Sequence, residues 1–327
     1  MEIKGGRPVA YAFTGVRKLG DPTPIAATDQ FHLGSDTKAM TAALIGLLIE
    51  ESKLRWESTL GEIFPKLAMN SAYRSVNIAM LAAHRAGLPK DPDNEKYWES
   101  LWALDPVKGR RKVLENALHM PPAGVPGIRF SYSNIGYVIL GAVIDKTSGQ
   151  TYERFIQHRL FSKLGMDSCG FGPMGNPNSI HPDEPWGHTA KNGVLAPVAP
   201  TPQADNPPAY NSAARAHCSL ADWGKFLQME LDGFNGKTGL LLLPAIFSKL
   251  QAVYPGQDYT YGGWLKASRN WTGGPAFHHE GSNTMNVALA WLAPLKNEIF
   301  MSASNAPIPR ARPALVQAIS YLIHSSR

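Results

Sequence analysis

The pattern of apolar and polar positions predicts strands near both ends of the chain and helices between them. Residues 8–16 read as a strand that ends at a turn rich in glycine and proline. Residues 39–51 form an apolar run whose core face keeps the i, i+3, i+4 spacing of a helix, at Met40, Ala43, Leu44, Leu47 and Leu48. The clearest further helices are predicted at residues 114–119, 136–147, 152–164 and 220–231. The middle of the chain is therefore expected to be mainly helical.

Two more strands and a helix are predicted at the C-terminal end. Residues 288–292 and 299–304 read as buried strands joined by a turn at residues 294–297. Residues 313–324 then read as a terminal helix with a proline at its start. With the strand at the other end of the chain, these elements indicate an α/β layer built from both chain ends.

This order predicts an α/β (α+β) fold with a helical domain inserted between the two halves of a sheet domain. We place the sheet domain at residues 1–50 and 255–327, and the mainly helical domain at residues 51–254. Residues 196–209 are too rich in proline to form a regular element. We expect them to form a surface loop that overhangs a site.

The composition is that of an ordinary globular protein. Of the 327 residues, 44% are hydrophobic and 18% are charged, which argues against wholesale disorder. The net charge of +6 is modest and the basic residues are scattered, so nucleic-acid binding is not indicated. No apolar stretch approaches the roughly 20 residues that span a bilayer. The first residues lack the apolar core of a secretory signal, so the protein is either cytoplasmic or exported by a signal outside this sequence.

Neither of the two cysteines indicates a metal site. Cys169 and Cys218 have no metal-ligand spacing, and a disulfide cannot be inferred from one pair at that separation. The zinc-protease pattern HExxH is also absent, because position 283 is Asn where His would be required. We therefore expect no metal and no cofactor.

Ser35 and Lys38 lie three residues apart at the predicted start of the apolar helix, so their side chains share one face. A serine hydroxyl needs a base, and a lysine can serve only if burial or a nearby cation lowers its pKa toward neutrality. The unpaired N–H groups of a helix N-terminus would also favour negative charge developing on an acyl oxygen. The alternative interpretation is an N-cap serine followed by a surface lysine.

Tyr132 and Asn134 lie two residues apart, just before another apolar helix. In an extended or loop segment, both side chains can point into one cavity. A tyrosine beside a lysine ammonium can exchange protons and hand one to a leaving group. An asparagine amide offers a donor and an acceptor to a substrate ester or amide. Taken alone, Tyr132 would more often be an amphipathic packing residue.

Residues 277–283 come immediately before the C-terminal strand pair and read as a strand edge. This edge carries His279, followed by Gly281, which would let a substrate come close to the backbone. The alternative interpretation of His278 and His279 is a metal-binding or structural histidine pair.

Together these elements resemble the superfamily of serine β-lactamases and penicillin-binding proteins, and within it the class C β-lactamase-like branch of family VIII esterases and D-aminopeptidases. The patterns S-x-x-K and Y-x-N each occur once, in the order found in that family. Further segments that resemble it are residues 75–89, 126–141, 164–166 and 261–264. The resemblance implies a β-lactamase/transpeptidase-like fold: an antiparallel sheet flanked by terminal helices, an inserted all-helical domain, and an active site at their interface.

The resemblance also implies a role for each matching position. Ser35 would attack the carbonyl to give an acyl-enzyme, Lys38 would activate it, and Tyr132 would relay protons. Asn134 would bind the acyl-side amide of the substrate, and the backbone N–H groups of Ser35 and Ser282 would form the oxyanion hole. The positions implied to contact the substrate are, in chain order, Asn134, His279, Gly281 and Ser282.

One departure from the family pattern bears on the substrate. The triplet His279-Glu280-Gly281 stands where the family has Lys-Thr-Gly or His-x-Gly. In members that bind β-lactams or peptide C-termini, the Lys and Thr of that triplet hold the substrate carboxylate, and this chain has His279 and the anionic Glu280 in their place. If Glu280 faces the pocket, it would repel a carboxylate. We therefore expect a serine hydrolase that acts on neutral esters or amides, or on amine-bearing substrates, of the carboxylesterase or D-amino-acid peptidase/amidase type.

Three alternatives remain open at this point. The protein could be a β-lactamase or penicillin-binding DD-peptidase, an acyltransferase that uses the same acyl-enzyme, or a binding protein that keeps the fold without activity. The expected partner is a small-molecule ester, amide or peptide-like substrate in each catalytic case. The sequence does not reveal the oligomeric state.

Overall fold

The computed structural model describes residues 1–325. Its strands are β1 (Glu2–Lys4), β2 (Arg7–Ala10), β3 (Gln30–His32), β4 (Gly170–Phe171), β5 (His188–Lys191), β6 (Val194–Pro197), β7 (Ala216–Ser219), β8 (Leu265–Ser268), β9 (Pro275–Ser282), β10 (Val287–Ala293) and β11 (Glu298–Ser304). Its helices are α1 (Thr37–Glu50), α2 (Leu60–Ile63), α3 (Ile78–Ala82), α4 (Glu95–Ser100), α5 (Pro106–His119), α6 (Asn134–Ser148), α7 (Tyr152–Ile156), α8 (Ser162–Leu164), α9 (Asn211–Ala214), α10 (Leu220–Phe234), α11 (Pro244–Leu250) and α12 (Ile308–Ser325).

Six strands form one antiparallel sheet in the order β2-β1-β11-β10-β9-β8, which brings the two ends of the chain side by side. Glu2 of β1 pairs with Phe300 of β11, and Ser282 of β9 pairs with Val287 of β10. Strand β8 pairs with β9 only as far as His278. In the described part of the chain, residues 279–282 therefore present a strand edge on the side away from β10.

Successive side chains of β9 point to opposite faces of the sheet. His278 stacks on Trp291 with ring centroids 4.1 Å apart, and Glu280 reaches Arg312 of helix α12. This face is covered by α12, which buries Ile319 and Ile323 against the sheet. His279 and Gly281 point to the other face, toward the start of α1.

Helices α1 and α6 form the centre of the molecule because both are apolar around most of their circumference. Residues 37–48 of α1 and residues 135–144 of α6 are buried. The side chain of Ser133 caps α6 by accepting the backbone N–H of Gly136 at 3.1 Å. This cap fixes Asn134 in the first turn of α6, against α1.

The structure confirms the predicted helix at residues 39–51 and the two C-terminal strands, and it corrects two boundaries. The first strand ends at Ala10, because only residues 7–10 pair with β1. The last helix begins at Ile308, so Pro313 lies inside it and not at its start. Pro313 has no N–H to donate to the carbonyl of Pro309, and both residues are exposed.

The proline-rich segment is shorter than predicted. Strand β6 extends to Pro197, and a 3₁₀ turn begins at Pro208, so only residues 198–207 are irregular. Asp205, within this segment, is 4% exposed. The segment therefore contributes to the interior and does not only cover the surface.

The division into a sheet domain and a helical domain stays a prediction. Helix α10 falls in the range assigned to the helical domain, yet it packs against strands β10 and β11. At the N-terminal end of the chain, β1 and β2 extend the sheet. At the C-terminal end, α12 supplies the terminal helix. In residues 1–325, no helix combines the length and apolar character that crossing a membrane requires.

Cys169 and Cys218, whose pairing the sequence left open, form a disulfide. The bond joins the residue before β4 to the middle of β7, at a sequence separation of 49. It therefore ties strand β7, which leads from helix α9, to the segment that follows α8.

Candidate active site

Ser35 lies in a 3₁₀ turn, Gly34–Asp36, that leads directly into α1. Gly34 has φ +51°, and a Cβ there would lie 2.1 Å from the backbone nitrogen of Ser282. A Cβ on Gly281 would lie 2.8 Å from the backbone nitrogen of Ser35. The two glycines thus let the N–H groups of Ser35 and Ser282 approach each other, which is the arrangement that an oxyanion hole requires.

Lys38 is buried in the first turn of α1, and its Nζ lies within hydrogen-bonding distance of three oxygen atoms. These are Oγ of Ser35 at 3.1 Å, Oδ1 of Asn134 at 2.7 Å and the carbonyl oxygen of Ala213 at 2.9 Å. Burial lowers the pKa of Lys38 to about 7, against the opposing effect of the negative charge on Asp91. Near neutral pH a large fraction of the amine is therefore unprotonated and able to accept a proton.

The ring of Tyr132 lies beside this pair, with its centroid 4.8 Å from Nζ of Lys38. It packs on the ring of His84 at 4.3 Å and against the edge of Tyr259 at 6.2 Å. Burial raises the pKa of Tyr132 well above its ordinary value, and a hydrogen bond with Ser35 acts in the opposite direction. The phenol therefore holds its proton at neutral pH and can donate it. The structure thus brings Ser35, Lys38 and Tyr132 together, and their catalytic roles stay a prediction.

Asn134 links Lys38 to Asp91, a residue that the sequence analysis did not single out. Its Oδ1 accepts from Lys38, and its Nδ2 donates to both carboxylate oxygens of Asp91, at 3.0 and 3.1 Å. In this structure both ends of the amide are engaged, so Asn134 orients the lysine amine. Its predicted role of binding a substrate amide stays a prediction.

His279 packs through Asp36 against the 3₁₀ turn that carries Ser35. Its Nδ1 lies 3.1 Å from Oδ1 of Asp36, and both side chains are buried. Burial raises the pKa of Asp36, although the interaction with His279 opposes this shift. Within residues 1–325, no cluster of His, Cys, Asp or Glu is arranged to hold a metal ion.

Glu280 accepts a hydrogen bond from Nε of Arg312 at 2.6 Å, on the opposite face of β9 from His279. Glu280 therefore does not turn a free negative charge toward the pocket, so the condition under which it would repel a substrate carboxylate is not met. The triplet His279-Glu280-Gly281 still offers no free positive charge that could hold a substrate carboxylate.

His84 is a second residue that the sequence analysis left without a role. Its Nδ1 accepts the backbone N–H of Ser133 at 3.1 Å. Burial lowers the pKa of His84 well below its ordinary value, and the nearby charge of Lys38 adds to this shift. The ring is therefore neutral and serves to support Tyr132 and the start of α6. Its only signal in the sequence was its position in the family-like segment of residues 75–89.

Comparisons with known proteins identify the family of this chain. A family model described as Beta-lactamase matches residues 1–319. Penicillin-binding protein 4 of Amycolatopsis lactamdurans is 25% identical over 286 residues, covering 83% of this chain and 70% of that protein. Penicillin-binding protein 4* of Bacillus subtilis (strain 168) is 28% identical over 169 residues, covering 51% of this chain but only 36% of that longer protein.

Solved structures share the fold. The octameric penicillin-binding protein homologue from Pyrococcus abyssi has a TM-score of 0.75 at 24% identity, covering 97% of this chain and 72% of that chain. The D-amino acid amidase from Ochrobactrum anthropi SV3, in complex with L-phenylalanine, has a TM-score of 0.70 at 18% identity. The match covers 93% of this chain and 84% of that chain. At such identities the likeness confirms the β-lactamase/transpeptidase-like fold alone.

The family model covers most of the chain, and the fold is that of the same superfamily. The family name describes descent and architecture, and it does not by itself fix the substrate. This chain therefore belongs to the Beta-lactamase family, within the superfamily of serine β-lactamases and penicillin-binding proteins, and is a serine hydrolase.

Proposed function

We propose that the protein cleaves ester or amide bonds through an acyl-enzyme on Ser35. The observation that carries this proposal is the 3.1 Å contact between Nζ of Lys38 and Oγ of Ser35. Burial lowers the pKa of that amine to about 7, so the group in contact with the hydroxyl is also a base of suitable strength.

Acylation begins when Oγ of Ser35 attacks the substrate carbonyl carbon and its proton passes to the neutral amine of Lys38. The carbonyl π electrons move to oxygen, and the N–H groups of Ser35 and Ser282 stabilise the negative charge. The bond to the leaving alcohol or amine then breaks. Tyr132 gives its proton to that group and regains one from the Lys38 ammonium. The products are an ester on Ser35, a free alcohol or amine, and a neutral lysine.

Deacylation repeats these steps with water as the nucleophile. Water attacks the acyl carbon and loses a proton to the Tyr132–Lys38 pair. The ester bond to Ser35 then breaks, and the same pair returns the proton to Oγ as the carboxylic acid departs. Each group ends in its starting protonation state, so the cycle can repeat.

We propose neutral esters or amides as substrates, of the carboxylesterase or D-amino-acid peptidase/amidase type. In the His279-Glu280-Gly281 triplet, His279 is bonded to Asp36 and Glu280 to Arg312. Neither side chain is free to hold a substrate carboxylate. The structural likeness to a D-amino acid amidase supports an amide of an amino acid as one member of this class.

A substrate panel tests the proposal. Short-chain p-nitrophenyl esters and D- and L-amino-acid amides would be assayed with the wild type, Ser35→Ala, Lys38→Ala and Ser131→Ala. Ser131 is an exposed serine beside Tyr132, so its variant is a matched control. We expect turnover by the wild type and the control, and loss of more than about 1,000-fold in the other two variants. Equal turnover by Ser35→Ala would contradict the proposal.

A second candidate is a penicillin-binding or β-lactam-hydrolysing activity, because both curated relatives described above are named penicillin-binding proteins. It would use the same acyl-enzyme. Stable acylation or turnover with a penicillin or a cephalosporin, dependent on Ser35, would favour it. No reaction at millimolar concentration, together with turnover of esters or amides, would reject it.

A further inference from the structure

We propose that Asp205 is a positioning residue that holds together the two chain segments carrying the oxyanion N–H groups. This inference rests on the function proposed above, in which Ser35 and Ser282 donate those groups. Asp205 belongs to the proline-rich segment of residues 198–207, and its side chain is fully buried. Three separate side chains bond to its carboxylate, and each leads to a different part of the site.

The first connection runs to the nucleophile. Nε2 of His32 lies 2.8 Å from Oδ2 of Asp205, and Nδ1 of the same ring accepts the backbone N–H of Gly34 at 3.0 Å. Because Nδ1 is an acceptor, the proton must be on Nε2, where it is donated to Asp205. The carboxylate thereby fixes the tautomer of His32, and His32 holds the glycine that directly precedes Ser35.

The second connection runs to the other oxyanion donor. Nδ2 of Asn283, which directly follows Ser282, donates to Oδ1 of Asp205 at 3.1 Å. Oδ1 of Asn283 in turn accepts the backbone N–H of Asn286 at 3.0 Å. These two bonds fix the turn that leaves strand β9. Asp205 thus binds one residue beside each of the two proposed oxyanion donors.

The third connection supplies the balancing charge. Nε of Arg215 donates to Oδ2 of Asp205 at 3.2 Å, and its Nη1 donates to Asn211 at 2.7 Å. Arg215 follows closely after Ala213, whose carbonyl oxygen accepts from Lys38. The cation offsets the cost of burying the carboxylate and connects it to the segment that positions the lysine.

An amide cannot replace this carboxylate without losing a bond. Four N–H donors converge on Asp205, from His32, Arg215, Asn283 and the backbone of Asn206. An asparagine has a single acceptor oxygen, and its NH₂ group would face at least one of those donors. In Asp205→Asn, at least one connection must therefore open. The oxyanion donors would then lose their fixed separation, although the shape of the side chain is retained.

We expect Asp205→Asn to lower kcat for an ester substrate by about 10- to 100-fold, with KM unchanged within about twofold. Affinity for phenylboronic acid, which forms a tetrahedral adduct on the nucleophile, should fall by a similar factor. The matched control is Asp222→Asn, since Asp222 is a buried carboxylate that bonds Ser168 and Lys225 away from the site. A merely structural role would lower the melting temperature of both variants and leave kcat per titrated active site unchanged.

If Asp205→Asn does not fold, Asn283→Ala breaks the connection of Asp205 to the segment of Ser282, together with the bond that Asn283 accepts from Asn286. This variant should lower kcat by about tenfold without changing KM. If both fold, the double variant should lose little more than the larger single loss, because both act through one carboxylate. An active wild type with unchanged kcat and boronate affinity in the folded variants would overturn this inference and leave the proposed function intact. A wild type inactive on every substrate would overturn both.

Discussion

A Cβ atom on Gly281 would lie 1.9 Å from the carbonyl oxygen of Leu33. Gly34 makes the reciprocal contact, since a Cβ there would lie 2.1 Å from the backbone nitrogen of Ser282. Both contacts are with backbone atoms, so neither can be relieved by a change of rotamer. The proposed oxyanion hole therefore depends on two glycines that are far apart in the sequence.

We predict that Gly281→Ala lowers kcat by at least about 100-fold. The added methyl group would push β9 away from the turn that carries Ser35, and the loss of one oxyanion donor costs about that much. Steady-state kinetics on an ester, normalised to folded protein by circular dichroism, would measure the effect. Gly124→Ala is the control, because a Cβ at Gly124 meets nothing within 4 Å. A folded Gly281→Ala variant with normal kcat would contradict the prediction.

The pH dependence of kcat/KM should follow the ionisation of Lys38. Its pKa is lowered by burial to about 7, and the proposed mechanism requires the neutral amine. We therefore expect kcat/KM to rise about tenfold per pH unit below pH 7 and to level off above it. A profile of kcat/KM from pH 5 to 9 on a neutral ester measures this. A profile that is flat across pH 7 would exclude Lys38 as the base.

Two neighbouring charges should move that profile in opposite directions. The negative charge of Asp91 raises the pKa of Lys38, and the positive charge of Lys90 lowers it. Asp91→Asn should therefore shift the midpoint of the profile to lower pH, and Lys90→Gln should shift it to higher pH. Both shifts should shrink in high salt. Shifts in the same direction would mean that the profile reports another group.

Much of the proposed catalytic set could be read from the sequence because it depends on local patterns. Ser35 and Lys38 lie at the start of an apolar helix, and Tyr132 lies just before another. In each case the helix itself is evident from its apolar spacing. The residues around them could not be predicted in the same way. Asp91 and Asp205 belong to irregular segments, where no periodicity shows which carboxylate turns inward.

The direction of Glu280 was undetermined for a different reason. Its side chain alternates with His279 along β9, but a strand pattern alone does not say which face meets the cleft. Pairing with β10 and packing under α12 decide this, and both depend on residues near the end of the chain. The disulfide between Cys169 and Cys218 could not be predicted for a related reason, since its formation depends on β4 and β7 being neighbours.

Replacing Glu280 should leave the preference for substrate charge unchanged. Glu280 and its partner Arg312 lie on the face of β9 opposite His279, under α12, so Glu280→Thr does not bring a free cation to the site. We expect kcat/KM for a substrate bearing a carboxylate, relative to its uncharged methyl ester, to stay within about twofold of the wild-type ratio. Glu115→Gln, which breaks the exposed pair with Arg111 on α5, is the control. A larger rise of this ratio in Glu280→Thr alone would show that the charge of Arg312 reaches the substrate.

Glu230 should make the stability of the protein depend on pH. Burial raises its pKa from 4.5 to about 8, although the indole of Trp264 donates to it. Between these values the folded state keeps a proton that the unfolded state has released, so stability falls as the pH rises. Glu230→Gln keeps the acceptor for Trp264 and does not ionise. The free energy of unfolding of Glu230→Gln, relative to that of the wild type, should rise by up to about 1.4 kcal/mol per pH unit from pH 5 to 8.

Urea unfolding of both proteins at pH 5, 6.5 and 8 would measure that difference. At all three pH values, the difference in free energy of unfolding between the exposed Glu115→Gln variant and the wild type should be the same. If the difference between Glu230→Gln and the wild type were also the same at all three pH values, Glu230 would already be ionised in the folded protein.

The central claim is that Ser35 carries the acyl group during turnover, and the most direct measurement is mass spectrometry of the intermediate. The wild type would be mixed with excess p-nitrophenyl ester, quenched in acid within the first turnover, digested and mapped. We predict that the peptide containing residue 35 gains the mass of one acyl group, and that Ser35→Ala gains none. An acyl group on any other residue, or turnover by Ser35→Ala at the wild-type rate, would contradict the account.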